Sequence, residues 1–225
     1  MVMIADWENI YQERGIIQRE IMPVVKEFVK ELFDRKNQHL KILDSGCGTG
    51  RHTVFVADYL SKNKGVEIES IDSSKTAISL LKSIIKENRL NSKINLKVHN
   101  LSKGLPYEDN HFDGIISTLV IEHNKVKGVI IRCSDMKRVL KHGGLLAFSV
   151  PSIEDPRYLT GDEVEPRTKI NTPQADGDIP HHFFTDKEIE LIFKGYKVLY
   201  KKLQARPSFT AGVTAQHWEY LFEKL

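Results

Sequence analysis

The stretch Asp44-Ser45-Gly46-Cys47-Gly48-Thr49-Gly50 decides the fold. It follows a short apolar run from Leu40 to Leu43, and the apolar residues between Val54 and Leu60 have the spacing of a helix. A buried strand that enters a glycine turn and continues into a helix lets a ligand approach the backbone and places an anionic group at a helix N-terminus. The stretch therefore predicts the first strand, turn and helix of a ligand-binding α/β domain.

The alternation of strands and helices continues along the chain. We predict strands at residues 66–71, 94–98, 112–121 and 145–150, a helix capped by Ser73 or Ser74, and a helix at residues 125–140. Such an order favours a parallel sheet covered by helices on both faces. Two helical stretches, interrupted near Gly15 and Pro23, precede the first strand.

The regular pattern stops between Pro151 and Pro180. A loop of this length is usually a functional lid or disordered. Beyond it, Thr185 is expected to cap a short helix that ends near Gly195. Two closing strands follow, with Trp218, Tyr220 and Phe222 on one side of the last strand, and we expect a hairpin joined by residues 207–212.

Composition sets the class of protein. The 225 residues include 33 Lys and Arg against 30 Asp and Glu, which gives a net charge of +3, and 40% of the residues are hydrophobic. This balance argues against a disordered chain, and no apolar run is long enough for a membrane helix. The two cysteines are too few for a disulfide scaffold, and no signal peptide is visible, so we predict a single cytoplasmic domain.

Five motifs occur in an order typical of one enzyme class. They are residues 42–50 (ILDSGCGTG), 71–72 (ID), 105–107 with 112–113 (LPY and FD), 121–123 (IEH) and 138–144 (RVLKHGG). With them the chain resembles the class I S-adenosylmethionine-dependent methyltransferases, in particular small members related to the ubiquinone-biosynthesis and tellurite-resistance types. The resemblance implies a Rossmann-like, doubly wound, seven-stranded and mostly parallel sheet with an antiparallel last strand. Its expected parts are a helical lid (1–38), a cofactor-binding core (40–150), a substrate-side insertion (151–184) and a closing helix with a hairpin (185–225).

The expected cofactor is S-adenosylmethionine, which becomes S-adenosylhomocysteine. Its charged and polar groups each need a partner when they leave water. Backbone N–H groups of the turn are expected to bind its carboxylate, Asp44 its ammonium and Asp72 its ribose, although Asp72 could instead cap the next helix. Asn100 and Leu101 stand where the family commonly has an aspartate for the adenine. The full predicted set is Asp44, Gly46, Cys47, Gly48, Thr49, Gly50, Asp72, Ser73, Asn100, Leu101 and Ser117.

Methyl transfer from a sulfonium needs mainly alignment and exclusion of water, so a general base is optional. The candidates for catalysis are Glu122 and His123 after the fourth strand, and His182 in the segment His181-His182-Phe183-Phe184. His123 and His182 could equally serve packing, and Glu122 could instead orient the cofactor or hold a neighbouring loop. Trp7 and Tyr11, one helical turn apart, could close on the cofactor or pack on the sheet. No metal-binding cluster of acids appears, so we expect metal-independent transfer.

We expect the acceptor to be a small molecule and the protein to be a monomer or homodimer. Acidic residues in the insertion disfavour phosphate-rich acceptors, which makes nucleic acid an unlikely partner, and no membrane association is expected. Three alternatives stay open: a methyltransferase for RNA or protein, a nicotinamide dehydrogenase, and a non-catalytic protein that binds S-adenosylmethionine. The spacing of the glycines, with Asp72 26 residues after Gly46, argues against the dehydrogenase.

Overall fold

The structure, a computed structural model, describes residues 7–16, 20–36, 38–61, 65–90, 93–172, 179–207 and 213–225. The helices are α1 (Trp7–Arg14), α2 (Pro23–Asp34), α3 (Arg51–Leu60), α4 (Lys75–Glu87), α5 (Val126–Val139) and α6 (Asp186–Ile192). The strands are β1 (His39–Ser45), β2 (Gly65–Asp72), β3 (Lys93–Val98), β4 (Phe112–Thr118), β5 (Leu140–Pro151), β6 (Asp162–Glu165), β7 (Thr168–Ile170), β8 (His181–His182), β9 (Tyr196–Pro207) and β10 (Thr214–Lys224). Short 3₁₀ helices cover Leu101–Lys103 and Pro156–Leu159.

Seven strands form the main sheet in the order β3-β2-β1-β4-β5-β10-β9. Neighbouring strands from β3 to β5 pair in parallel, and β10 runs antiparallel to both β5 and β9. The predicted Rossmann-like sheet with an antiparallel last strand is confirmed. Because the strand order reverses between β1 and β4, the carboxyl ends of these strands are where a ligand crevice forms in such a sheet.

Helices cover both faces of the sheet, each over its own apolar core. The apolar stripe of α2, which includes Phe28 and Leu32, packs with α3 on one face. On the other face, Val129 and Met136 of α5 pack against aromatic residues of β5 and β10. Trp218, Tyr220 and Phe222 all lie on this second face, as predicted from their two-residue spacing.

Two predicted helix caps are present. Ser74 caps α4, since its side-chain oxygen accepts from Ala77 N at 3.0 Å, and Thr185 caps α6 through Glu188 N at 3.2 Å. At the start of α2, Pro23 occupies the first helical turn, where its missing N–H group costs no hydrogen bond.

The structure corrects several boundaries. β4 ends at Thr118 instead of residue 121, because Leu119 adopts a left-handed backbone (φ 57°) that leaves the strand. α6 ends at Ile192 instead of near Gly195, and β5 starts at Leu140 instead of residue 145, with a register shift opposite β4. The insertion is also more ordered than predicted, since β6, β7 and β8 form a three-stranded antiparallel sheet. Most of the predicted hairpin loop, residues 208–212, lies outside the described residues.

Candidate functional site

Two adjoining cavities open at the carboxyl ends of the parallel strands, and Trp7, Tyr11, Gly46, Leu119 and His123 line both. Cavity 1 is lined also by Ile10, Arg14, Asp44, Cys47, Gly48, Thr49, Arg51, His52, Thr118, Glu122, Pro151, Arg157, His181, Pro207, Ala215 and His217. Cavity 2 is lined also by Asp72, Ser73, His99, Asn100, Leu101, Ser102, Val120, Asn124, Lys125, Arg132, Ile179 and Pro180. The crevice therefore spans the two regions that the sequence assigns to cofactor and acceptor.

The backbone of the glycine turn is largely saturated within the protein. The N–H groups of Gly46 and Cys47 donate to the Ile71 carbonyl at 2.8 and 3.0 Å, Gly48 N donates to Asp72, and Gly50 N donates to the Cys47 carbonyl. These four donors are bound within the protein, so of the N–H groups expected to bind the carboxylate only that of Thr49 has no hydrogen-bond partner among the described residues. What the turn does provide is close approach, because it carries no side chains at Gly46 and Gly48.

Gly46 and Gly48 both have a positive φ angle, and an added Cβ atom at either position would lie too close to a neighbouring side chain. A Cβ atom on Gly48 (φ 53°) would collide with the hydroxyl of Tyr11, and one on Gly46 (φ 75°) would lie 2.5 Å from Val120 Cγ2. Gly50 differs from them. It precedes α3 in a left-handed conformation against Leu81 and lies in neither cavity lining, so the structure gives it a role in the fold.

Asp44 and Asp72 are buried at the ends of β1 and β2. Asp44 Oδ2 accepts from Thr53 Oγ1 at 2.6 Å, and burial raises the pKa of Asp44 to about 6. The Asp72 oxygens accept from Gly48 N at 2.8 Å and from Ser74 N at 2.9 Å, and burial raises its pKa as well. Asp72 thus binds the N–H group of Ser74, the residue that caps α4, and it also lines cavity 2.

The other predicted cofactor residues divide between the cavities. Ser73, Asn100 and Leu101 line cavity 2, while Cys47 and Thr49 line cavity 1. The amide oxygen of Asn100 accepts from Ser102 N at 2.9 Å, which ties it to the backbone. Ser117 is buried within β4 outside both linings, and Thr118 and Leu119 stand in its expected place.

Glu122 and His123 reach cavity 1 from the turn after β4. Glu122 is 3% exposed, its Oε2 atom has no hydrogen-bond partner among the described residues, and burial raises its pKa to about 8. His123 Nε2 lies 3.7 Å from Glu122 Oε1, and the His123 ring contacts Trp7 and His181 edge-on, with centroids 4.9 and 4.5 Å apart. Burial lowers the pKa of His123, and the nearby His181 lowers it further.

The prediction for His182 is corrected. Its ring is fully buried outside both cavities, with Nδ1 2.8 Å from Thr168 Oγ1 and Nε2 3.2 Å from Glu188 Oε1. Alternation along β8 turns the preceding residue the other way, and His181 lines cavity 1. Burial lowers the pKa of His181 to about 4.

Several cavity residues escaped the sequence analysis. Arg51 and His52 follow the glycine turn at the start of α3, a position that could have identified them. Arg157 comes from the insertion, where Asp155 binds its guanidinium at 2.8 and 2.7 Å, and its NH2 nitrogen lies 3.2 Å from His217 Nε2. No spacing in the sequence connects Arg157 with His217.

Helix α1 covers the crevice and is attached to α4. The Glu8 carboxylate accepts from Ser74 Oγ at 2.7 Å, from Thr76 Oγ1 at 2.6 Å and from Thr76 N at 3.1 Å. These donors lower the pKa of Glu8 to about 2. The attachment holds Trp7 and Tyr11 over both cavities.

Within the described part of the chain, no three His, Cys, Asp or Glu side chains are grouped to hold a metal ion. Among the described helices, none is long and apolar enough to span a bilayer.

A family model described as "Methyltransferase domain" matches residues 36–222. The chain belongs to this methyltransferase family. Its solved neighbours include S-adenosylmethionine-dependent methyltransferases, and the family match argues against the dehydrogenase alternative. The matched range includes every predicted site residue and leaves α1, α2 and the end of β10 outside.

The similar proteins agree with this assignment. The methyltransferase is 34% identical over 124 residues to a demethylmenaquinone methyltransferase of Staphylococcus aureus, across 54% of this chain and 46% of that protein. It thus matches under half the length of that curated relative. A solved S-adenosylmethionine-dependent methyltransferase from Methanosarcina mazei is 22% identical, with a TM-score of 0.74 over 92% of this chain and 99% of that one.

A second solved neighbour contains two bound ligands. It is a 1,6-didemethyltoxoflavin-N1-methyltransferase from Burkholderia thailandensis, with 1,6-didemethyltoxoflavin and S-adenosylhomocysteine bound. The methyltransferase described here is 14% identical to it, with a TM-score of 0.64 over 90% of this chain and 76% of that one. At these identities the two solved structures establish the shared fold.

Proposed function

We propose that this methyltransferase methylates a small molecule bound in cavity 1. The observation that carries the proposal is the cover over this cavity, in which α1 and the segment around His181 bring Trp7, His123 and His181 into ring contact. A covered, aromatic-lined recess suits a small acceptor and excludes water from the reacting groups. The Burkholderia neighbour, whose bound acceptor is a small heterocycle, supports the same class.

The residues of the crevice fit S-adenosylmethionine. Gly46 and Gly48 leave their backbone exposed to the crevice, a Cβ atom on either would collide with Val120 or Tyr11, and the buried Asp72 carboxylate lies at the end of β2 in cavity 2. In this proposal Asp72, Ser73, Asn100 and Leu101 hold the nucleoside. Asp44, Gly46, Cys47, Gly48 and Thr49 hold the amino-acid end. Gly50 and Ser117 support the turn and the sheet without contacting it.

The cofactor supplies a methyl group on a sulfonium, which is already a good leaving group. The protein's own task is then to position the acceptor and exclude water. If the acceptor loses a proton, His123 is the better base because burial keeps its ring neutral, whereas Glu122 stays protonated up to about pH 8. His181 helps to close the acceptor recess.

We propose four functional parts for the chain, as the resemblance implied: a lid (1–38), a cofactor-binding core (40–150), a substrate-side insertion (151–184) and a closing segment (185–225). Action on a cytoplasmic metabolite, by a monomer or homodimer, remains our prediction.

Labelling of cell extracts tests the proposal. Purified protein and cofactor carrying a tritiated methyl group are added to an extract separated into small molecules, RNA and protein. We expect label in the small-molecule fraction, and a Glu8→Ala or Asp72→Ala variant should transfer less. Label in RNA or protein would contradict the small-molecule acceptor. Bound cofactor that yields no S-adenosylhomocysteine with any fraction would favour a non-catalytic binding protein.

A further inference from the structure

One end of cavity 1 carries the guanidinium of Arg51, which has no carboxylate of the described residues in direct contact. Its NH1 nitrogen donates to the Glu20 carbonyl at 3.1 Å, and it forms no ion pair with any carboxylate of the described residues. Burial lowers the pKa of Arg51 to about 10, and the neighbouring Arg206 lowers it further. A partly buried guanidinium that remains charged gains most from an anionic partner.

The nearest carboxylates are already engaged. Glu219 is fully buried, accepts from Arg206 at 2.8 Å and from Val24 N at 2.9 Å, and so neutralises Arg206. Asp44 accepts from Thr53 Oγ1 at 2.6 Å, and although its charge acts on Arg51, the two side chains form no ion pair. Asp44 and Glu219 therefore act on Arg51 only from a distance, and no carboxylate of the described residues forms a direct ion pair with its guanidinium.

The neighbouring residue, His52, has an unsatisfied hydrogen-bonding atom. His52 is 4% exposed and lines cavity 1, and its Nε2 atom has no hydrogen-bond partner among the described residues. Its Nδ1 atom lies 3.2 Å from Thr118 Oγ1, and burial keeps the ring neutral. An unpartnered, buried polar atom is costly unless a ligand satisfies it.

From these contacts we infer that the methyl acceptor carries an anionic oxygen group, a carboxylate or similar oxyanion, which Arg51 binds with help from His52. The inference rests on the proposed function and names the class of its acceptor. It also revises the expectation drawn from the acidic insertion. Of that segment, Pro151, Arg157 and His181 line cavity 1, and no acidic residue of it does among those described.

The cofactor's own carboxylate is the other anion that Arg51 could meet. The charged and titratable groups that act on Arg51 are, largest effect first, Arg206 of β9, Asp44 of β1, Tyr11 of α1 and Glu219 of β10. Cavity 1 also holds the amino-acid end of the cofactor in our proposal, but the charge that acts most on Arg51 is that of Arg206, on the hairpin strand β9 at the sheet edge. This position favours the acceptor, and the experiment separates the two sources.

Acetate serves as the probe because it carries the anionic group without a scaffold whose shape must fit. Protein saturated with S-adenosylhomocysteine, so that the cofactor's carboxylate site is filled, is titrated with ¹³C-acetate and followed by NMR. We expect saturable binding with a Kd of roughly millimolar size, since a ligand of about four non-hydrogen atoms gains little binding energy. Acetamide, the neutral analogue, should not compete.

The variants are Arg51→Met, Arg51→Lys and Arg89→Met. Arg89 is exposed and lines neither cavity, so its replacement removes the same charge without touching the site. We expect Arg51→Met to weaken acetate binding by about tenfold or more, the size of a lost charge-assisted hydrogen bond, while Arg51→Lys retains most of it and Arg89→Met all of it. Arg51→Gln replaces Arg51→Met if thermal melts show that the latter does not fold.

A second measurement identifies the anion. Calorimetry compares the affinity of Arg51→Met for S-adenosylhomocysteine and for 5′-methylthioadenosine, which lacks the amino-acid end. Our inference requires both affinities to stay close to wild type. A loss confined to S-adenosylhomocysteine would mean that Arg51 binds the cofactor, and the inference would fail. It would fail too if acetate did not bind saturably, or bound Arg51→Met equally well. Labelled RNA or protein in the extract experiment would instead overturn the small-molecule proposal, whatever acetate does.

Discussion

Asp72 Oδ2 accepts the N–H group of Gly48 at 2.8 Å, so the carboxylate at the end of β2 fixes the glycine turn that follows β1. The same side chain lines cavity 2, where we propose that it binds the ribose. Removing it should therefore affect both the turn and the ligand.

Replacing Asp72 by alanine should weaken S-adenosylhomocysteine binding by roughly 1–3 kcal/mol, the size of a lost charged hydrogen bond. It should also lower the melting temperature, because the N–H groups of Gly48 and Ser74 lose their acceptor. Asp72→Asn is the control, since its amide oxygen can still accept one of them. Calorimetry and thermal melts measure the two effects. A lower melting temperature with unchanged affinity would limit Asp72 to holding the turn.

A substitution at Gly48 tests whether the cofactor closely approaches the backbone of the glycine turn. Gly48→Ala should reduce cofactor affinity by about tenfold or more, because its φ of 53° disfavours alanine and the new Cβ atom meets the Tyr11 hydroxyl. The double variant with Tyr11→Phe removes that hydroxyl and should recover part of the affinity, leaving the backbone strain. Equal affinity for Gly48→Ala and wild type, measured by calorimetry, would show that the turn is not crowded.

Glu8 tests whether α1 is a lid. Glu8→Ala should accelerate release of S-adenosylhomocysteine by about tenfold, since the carboxylate binds three donors of α4 and its approach. The folded pKa of Glu8 is lowered to about 2 from 4.5, so its contribution is complete above pH 4.5 and is lost as the pH falls towards 2. The release rate, measured by stopped flow, should therefore not vary with pH through Glu8 near neutral pH. Glu13→Ala, exposed on the same helix, is the control, and an equal effect from it would argue against the latch.

The gathering of Gly46, Asp72 and Asn100 at one crevice could be predicted from sequence, because strand ends meet at one edge of a parallel sheet. The hydrogen bonds of the turn could not be predicted. The N–H groups of Gly46 and Cys47 donate to the Ile71 carbonyl of the neighbouring strand, and only the register between β1 and β2 sets that contact. Alternation predicts that His181 and His182 face opposite ways without saying which one meets the cavity. The place of Arg157 in the cavity could not be predicted, because it depends on how the insertion folds.

Glu122 should make stability depend on pH. Burial raises its pKa to about 8, above the ordinary 4.5, so in this window the unfolded chain ionises while the folded protein does not. The free energy of unfolding should fall as the pH rises from 4.5 to 8, and Glu122→Gln should remove this loss, worth on the order of a few kcal/mol. Urea unfolding at both ends of the window measures it. The exposed Glu154→Gln is the control. Parallel pH profiles for Glu122→Gln and wild type would mean that Glu122 is ionised in the folded protein.

The adjacent histidines of β8 provide the sharpest test of the acceptor recess. His182→Ala should destabilise the fold by about 1–3 kcal/mol, because Thr168 and Glu188 lose a buried partner, while the folded fraction keeps its turnover. His181→Ala should leave the melting temperature nearly unchanged and raise KM for the acceptor identified by extract labelling, because it opens the recess beside His123. Thermal melts and steady-state kinetics on both variants separate the two effects. If instead His182→Ala loses turnover while remaining fully folded, the catalytic role predicted from sequence belongs to His182, and the division between the two rings that we derive from cavity 1 is wrong.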